Sequence, residues 1–377
     1  MASIDSIPPF PHLLFEKSGW RGMPLDVLVV RGTFDLGQDG HPMRLAAVQT
    51  PLVWGDEYDG PITTDPLAAV LKADGDLVVG KPGTDVILTG HLCSPEGKPM
   101  KDWVAVTRIG TLTKGLRVTG PRRFERTFLG WRVTSPQPVT SVALDYRLAF
   151  GGRVNLSSES ELCGLHFDEN PSGIGWLPSE PDMNGLSKAA QRTLRAWINS
   201  QDTLAAPQFE HFANPLQNPA ERIMPQGFGP IARWWQPRRS LQGTLDAKWQ
   251  AQRYPDHPDD YDPRYTHCAH PELVSATPLQ GDEEVILAQC LPEGKVHTRL
   301  PGMAVQAMTR FDNGQHCIVP LMLDTVRIDL DQRQCVLVWR TLFDRRNPPA
   351  DITIAAMPIE QWRRAVSTSG THRVRHG

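Results

Sequence analysis

Nine prolines between positions 207 and 263 (207, 215, 219, 225, 230, 237, 255, 258 and 263) constrain this chain more than any other feature. Proline fixes φ and removes a backbone donor, so no long helix can run through the stretch. The overlapping stretch from Asn170 to Trp249 is dense in motif-like residues. Asn170-Pro171-Ser172-Gly173-Ile174-Gly175-Trp176 and Pro225-Gln226-Gly227-Phe228-Gly229-Pro230-Ile231 come first. Trp234-Trp235-Gln236-Pro237-Arg238-Arg239 and Gly243-Thr244-Leu245-Asp246 with Trp249 follow. Pro and Gly set the backbone here, while Trp and Arg are the residue types that anchor protein contacts. The combination predicts a shaped, rigid recognition surface and no assembled catalytic set.

On either side the chain reads as β, so the predicted fold is mainly β. Two β-rich, sandwich-like lobes, 25–150 and 271–365, flank an irregular centre at 151–270. An N-terminal extension (1–24) and a flexible basic tail (366–377) complete the division. In the first lobe, Asp26 to Leu36 is a Val/Leu-rich strand, and Gln38-Asp39-Gly40 turns it into Arg44 to Leu52. Val86 to Leu92, Val104 to Ile109, Leu116 to Thr119 and Val142 to Phe150 repeat the pattern. In the second lobe, Asn313-Gly314 signals a hairpin between Met308 to Phe311 and Cys317 to Leu321. Val326, Ile328 and Leu330 alternate with Thr325, Arg327 and Asp329, which predicts one wet face. The centre carries one helix, 187–199, with Ser187 as its cap and Ala190, Leu194 and Trp197 at helical spacing. From Arg363 onward the chain is basic and polar and is expected to fray.

Composition narrows the function classes. The 377 residues carry a net charge of −3, which gives no pull toward nucleic acid or acidic membranes. No run approaches the ~20 apolar residues of a membrane span, and Met1-Ala2-Ser3-Ile4-Asp5-Ser6 lacks a secretory pattern. Six cysteines without CxxC spacing indicate neither a zinc ribbon nor a disulfide framework. The expectation is a cytoplasmic protein with free thiols and no cofactor.

The sharpest catalytic candidate is His257-Pro258-Asp259-Asp260-Tyr261-Asp262, with His267 and His270 behind it. Imidazole and carboxylate together are metal ligands, so a metal-dependent hydrolase using His257, Asp260 and His267 is an alternative. The spacing matches no helical or EF-hand pattern, and an acidic turn accounts for the same residues. Gly80-Lys81-Pro82-Gly83-Thr84-Asp85 resembles a fragment of a phosphate loop, but Pro82 stands where a helix would begin, so Lys81-Pro82 is expected to lead into a strand. Cys163-Gly164 and Cys268 beside His267 are the only thiols with suggestive neighbours.

A series of short motifs runs through most of the chain. Val30-Arg31-Gly32-Thr33-Phe34-Asp35-Leu36, Lys81-Pro82-Gly83-Thr84-Asp85-Val86 and Ser94-Pro95-Glu96-Gly97-Lys98-Pro99 open it. Tyr146-Arg147-Leu148-Ala149-Phe150-Gly151-Gly152 and the central motifs quoted above follow. Gly281-Asp282-Glu283 and Val338-Trp339-Arg340 close it. In this order, over roughly residues 20 to 345, they resemble the bacterial type VI secretion system accessory proteins that carry a domain of unknown function. The resemblance implies an adaptor or chaperone that binds a toxic effector or its PAAR-type spike-tip module and helps load it onto the spike. It implies no catalytic residue. A structural component of the secreted spike assembly is the remaining alternative.

The partner surface is expected around Phe228, Arg233, Trp234, Trp235, Arg238 and Arg239. Pro225, Pro230 and Pro237 would hold this loop in one shape before binding. One of the two tryptophans is expected in the core and one partly out, with the core position slightly favoured for Trp235 over Trp234.

Overall fold

The computed structural model describes residues 3–19, 22–156 and 161–368. The protein is mainly β, with 39% strand against 15% helix. Among the described residues the α-helices are α1 (Lys188–Asn199), α2 (Ala247–Gln252) and α3 (Ile359–Thr368). Ser187 caps α1, its hydroxyl accepting from the Ala190 N–H, and Ala190 and Leu194 face the interior as their spacing requires.

The largest sheet is built around the strand Pro24–Asp35, which is buried at every position except its two ends. Its run of Val and Leu suits a strand covered on both faces. Gln334–Asp344 pairs with it along eleven residues, and on the other side lies His12–Ser18. Met322–Asp329 continues the sheet and pairs in parallel with Thr84–Thr89, Val326 opposite Val86. Val274–Ser275 completes that edge. Gly83 is needed at this corner, because a Cβ there would lie 1.8 Å from the Ser275 carbonyl oxygen.

Strands from 25–150 and from 271–365 therefore share one sheet. A second sheet does the same, with Asp102–Ile109 between Leu112–Thr119 and Glu284–Ala288. The main core follows the sheets, gathering Leu28, Phe34, Leu88, Leu116, Leu287, Trp235 and Trp339. A separate core is built from the middle of the chain. There Phe124, Phe150, Phe167 and Trp176 pack against Ala190 and Leu194 of α1. The centre thus divides: one part builds the second core, and the rest is drawn into the main one.

Several local expectations give way to longer-range contacts. The described part of the expected N-terminal extension is woven in, since Ser3–Ser6 pairs in parallel with Asp351–Pro358 and His12–Ser18 pairs with Pro24–Asp35. Only Arg44–Leu45 of the stretch Arg44 to Leu52 joins a strand. Beyond it, the Gln49 side chain bonds both the N–H and the carbonyl of Thr33, replacing a ladder with side-chain contacts. Val142 to Phe150 breaks after Ala143, where the Asp145 carboxylate accepts from the Arg147 N–H and stabilises a single turn. The expected wet face of Met322–Asp329 is covered: Thr325 is buried and Arg327 is ion-paired with Asp74. Residues 363–368 are helical in α3, with Arg363 paired to Asp282, and 369–377 lie outside the described residues.

Trp339 is the test of this core. It stacks on Phe10 at 5.7 Å and meets Phe34 edge-on at 6.3 Å, with 1% of its surface exposed. Trp339→Ala is expected to cost about 3–5 kcal/mol, measured by urea unfolding. Phe128→Ser, at a fully exposed hairpin tip, is expected to shift stability by no more than about 0.5 kcal/mol.

Candidate binding cleft

Charged residues placed inside apolar strands must find partners, because an unpaired buried charge is too costly. Arg31 stands in the centre of Pro24–Asp35, and Arg327 and Arg340 stand in the adjoining strands. Asp74 and Asp76 come from the turn after Val70–Ala73. Asp85 lies on Thr84–Thr89, four residues after Lys81.

Lys81 binds the group together. Its ammonium lies 2.9 Å from Asp74 and 2.7 Å from Asp85, with its side chain 1% exposed. Arg327 takes the other oxygen of Asp74. Arg31 pairs with Asp76 at 2.8 Å, while Arg340 pairs with Asp324 and donates to the Asp76 carbonyl. Asp85 also receives the Cys268 N–H at 2.9 Å, and its second oxygen lies 2.7 Å from His267 Nδ1.

Burial alone would raise the Asp85 carboxyl, but Lys81 and then His267 draw it down to about 2. Asp74 is likewise lowered, with burial opposed by Lys81 and Arg327. The Lys81 ammonium is held above its ordinary range, since Asp74 and Asp85 outweigh its burial. Burial pushes the Cys268 thiol well up, which disfavours its thiolate form. Asp74, Asp85 and Cys268 are the group of potential metal ligands gathered among the described residues. The position between the two carboxylates is occupied by the protein's own ammonium.

A cleft of about 460 Å³ opens beside this network. Ile231, Leu241, Ala269 and Val274 give it apolar walls, Pro82 and Pro237 fix its backbone, and Arg238 and His267 bring polar groups to it. A second cleft, of about 430 Å³, reaches the network from Arg31 and Arg327.

The structure distributes the six sequence-predicted surface residues unevenly. Phe228 and Trp235 are wholly buried, Trp235 meeting Tyr146 edge-on at 5.6 Å. These two are core residues, and their contribution to any surface is to hold it. Trp234 is half-buried against Tyr58, and Arg233 forms a two-pronged ion pair with Asp56. Arg238 is 4% exposed but lines the cleft. Arg239 is the open one, 3.4 Å from Asp168. The hydrophobic content of the motif explains the difference: large rings beside an apolar sheet go inward.

His257, Asp260 and His267 are not brought together as ligands. His257 stacks on Tyr261, Asp260 accepts from Thr244 and His267 turns to Asp85. Lys81-Pro82 does lead into a strand, but the buried role of Lys81 was missed. Its signal was the recurrence of single charges within apolar runs, as in Val30-Arg31-Gly32 and Trp339-Arg340.

The model of a family described as an uncharacterized protein conserved in bacteria (DUF2169) matches residues 21–340. The chain belongs to that family. No curated protein and no solved structure matches it. In this DUF2169 protein, the matched span takes in the ion network and the cleft.

Lys81→Met is expected to destabilise the protein by about 3–5 kcal/mol, because two buried carboxylates lose their cation. Asp85 titrates at about 2 in the fold, against roughly 3.9 when unfolded. A depressed carboxyl contributes stability that is complete above the unfolded value and fades as the pH falls through the folded one. The wild type should therefore weaken from about pH 4 downward, whereas the deficit of Lys81→Met should be largest near neutral pH and shrink as acid protonates the two carboxylates that have lost their cation. Acid titration followed by circular dichroism measures both.

Proposed function

We propose that this protein is a non-catalytic capture protein of the type VI secretion system. In this reading it is a cytoplasmic adaptor or chaperone that binds a toxic effector or its PAAR-type spike-tip module and assists loading onto the spike. The observation that carries the reading is the half-open cleft, whose apolar walls and proline-fixed backbone suit a protein segment better than a reacting group. The backbone needs little ordering on binding, which favours affinity. The ordered motif series supports the same view.

A second apolar feature fits capture. The hairpin Arg122–Thr127 to Gly130–Val133 presents Phe128 and Leu129 at its tip, 101% and 93% exposed. The Thr127 hydroxyl, donating to the Gly130 carbonyl and accepting from the Leu129 N–H, holds that tip. Exposed apolar residues on a fixed turn are a recognised form of contact surface.

The test is co-purification with the products of the neighbouring genes. Wild-type protein should retain an effector or spike-tip protein, and Ala276→Trp, which fills the cleft from an exposed position, should reduce retention at least tenfold with unchanged thermal melting. Failure to retain either product would refute the adaptor reading. Stoichiometric zinc or manganese, with hydrolysis lost on chelation, would establish the metal-dependent alternative instead.

A further inference from the structure

Arg238 differs from the other buried cations. Arg31, Lys114 and Arg340 each have a carboxylate at ion-pair distance, as do the nearly buried Lys81 and Arg327. Arg238 has none among the described residues. Its Nε donates to the Tyr265 carbonyl at 2.9 Å and its Nη1 to the Ile231 carbonyl at 2.7 Å. Its guanidinium also lies over the Tyr265 ring, 5.6 Å from the centroid. Arginine remains charged under all folding conditions, so this is a 4%-exposed positive charge with no carboxylate in contact with it, Asp74 of the adjoining network acting on it only at longer range. It lines the apolar cleft, where an anion from outside could complete it.

His267 supplies a second, complementary group at the same cleft. Its Nδ1 lies 2.7 Å from the ionised Asp85 carboxylate, so this nitrogen carries the proton and donates. In the neutral ring Nε2 is then an acceptor. The cleft therefore offers the buried Arg238, the exposed Arg264 already paired with Asp262, His267 Nε2 as an acceptor when the ring is neutral, and apolar walls.

We propose that the cleft binds the C-terminal residue of a partner polypeptide. The terminal carboxylate pairs with Arg238, the last backbone N–H donates to His267 Nε2, and an apolar side chain sits between Ile231, Leu241, Ala269 and Val274. A simple aliphatic acid satisfies the cation but leaves Nε2 without a donor, which is why the occupant is a peptide end. This inference rests on the capture reading above and specifies which part of the partner is held.

The experiment uses the full chain and two probes, the peptides Gly-Ser-Gly-Ser-Leu and Gly-Ser-Gly-Ser-Phe, each as free acid and as C-terminal amide, with hexanoate as a third. Calorimetry should show binding of at least one free acid, with its amide at least tenfold weaker and hexanoate weaker than the peptide. Arg238→Gln should abolish the difference between acid and amide. Ala276→Trp should abolish binding while leaving the melting temperature unchanged, which keeps the test valid if Arg238→Gln fails to fold. Equal affinity for acid and amide, hexanoate binding as tightly as the peptides, or no binding of either free acid overturns the proposal. Retention of a neighbouring gene's product that survives removal of its last residue would leave the adaptor reading standing and this one refuted.

Discussion

The ammonium of Lys81 sits between two carboxylates that the chain delivers from different places, Asp74 from a turn and Asp85 from a strand. Around it, Arg327 from the far end of the sequence takes the free side of Asp74, and Cys268 and His267 from the proline-rich centre take Asp85. Three separate stretches of sequence are thus fixed on one buried cation. Buried ion pairs contribute little net stability compared with a well-packed apolar core, but they tolerate few alternative arrangements. The main core supplies the driving force for folding, and the ion network constrains how the sheet and the centre meet.

That division decides what could be read in the sequence. Period-two alternation and turn residues identified several of the long strands, including the hairpin at Asn313-Gly314 and the long strand beginning near Asp26, because these are local patterns. The cap at Ser187 was legible for the same reason. The joining of both ends into shared sheets was not. No local signal tells Thr84–Thr89 that its parallel neighbour is Met322–Asp329, since parallel pairing requires a long crossover and leaves no turn between partners. The apparent wet face of Met322–Asp329 misled for a related reason: Arg327 alternates as a solvent residue would, yet its partner is an aspartate some 250 positions away.

The proline-rich centre was legible as a shaped region and only partly legible as a surface. Phe228 and Trp235 were grouped with their arginine neighbours because composition cannot separate a ring that anchors a loop from a ring that a partner touches. Of the three prolines expected to shape the loop, Pro237 lines the cleft. The buried charges of that cleft appear in sequence only as ordinary arginine and histidine.

The topology also bears on how the polypeptide can be made. Ser3–Ser6 pairs with Asp351–Pro358, and among the described residues Thr84–Thr89 has no sheet neighbour nearer in sequence than Val274–Ser275. During synthesis the N-terminal third must therefore wait, with Lys81, Asp74 and Asp85 still in water and its Val-rich strands lacking their main partners. A nascent chain in that state carries open strand edges for as long as the ribosome takes to complete the rest. Those open edges are what a chaperone of the nascent chain would cover.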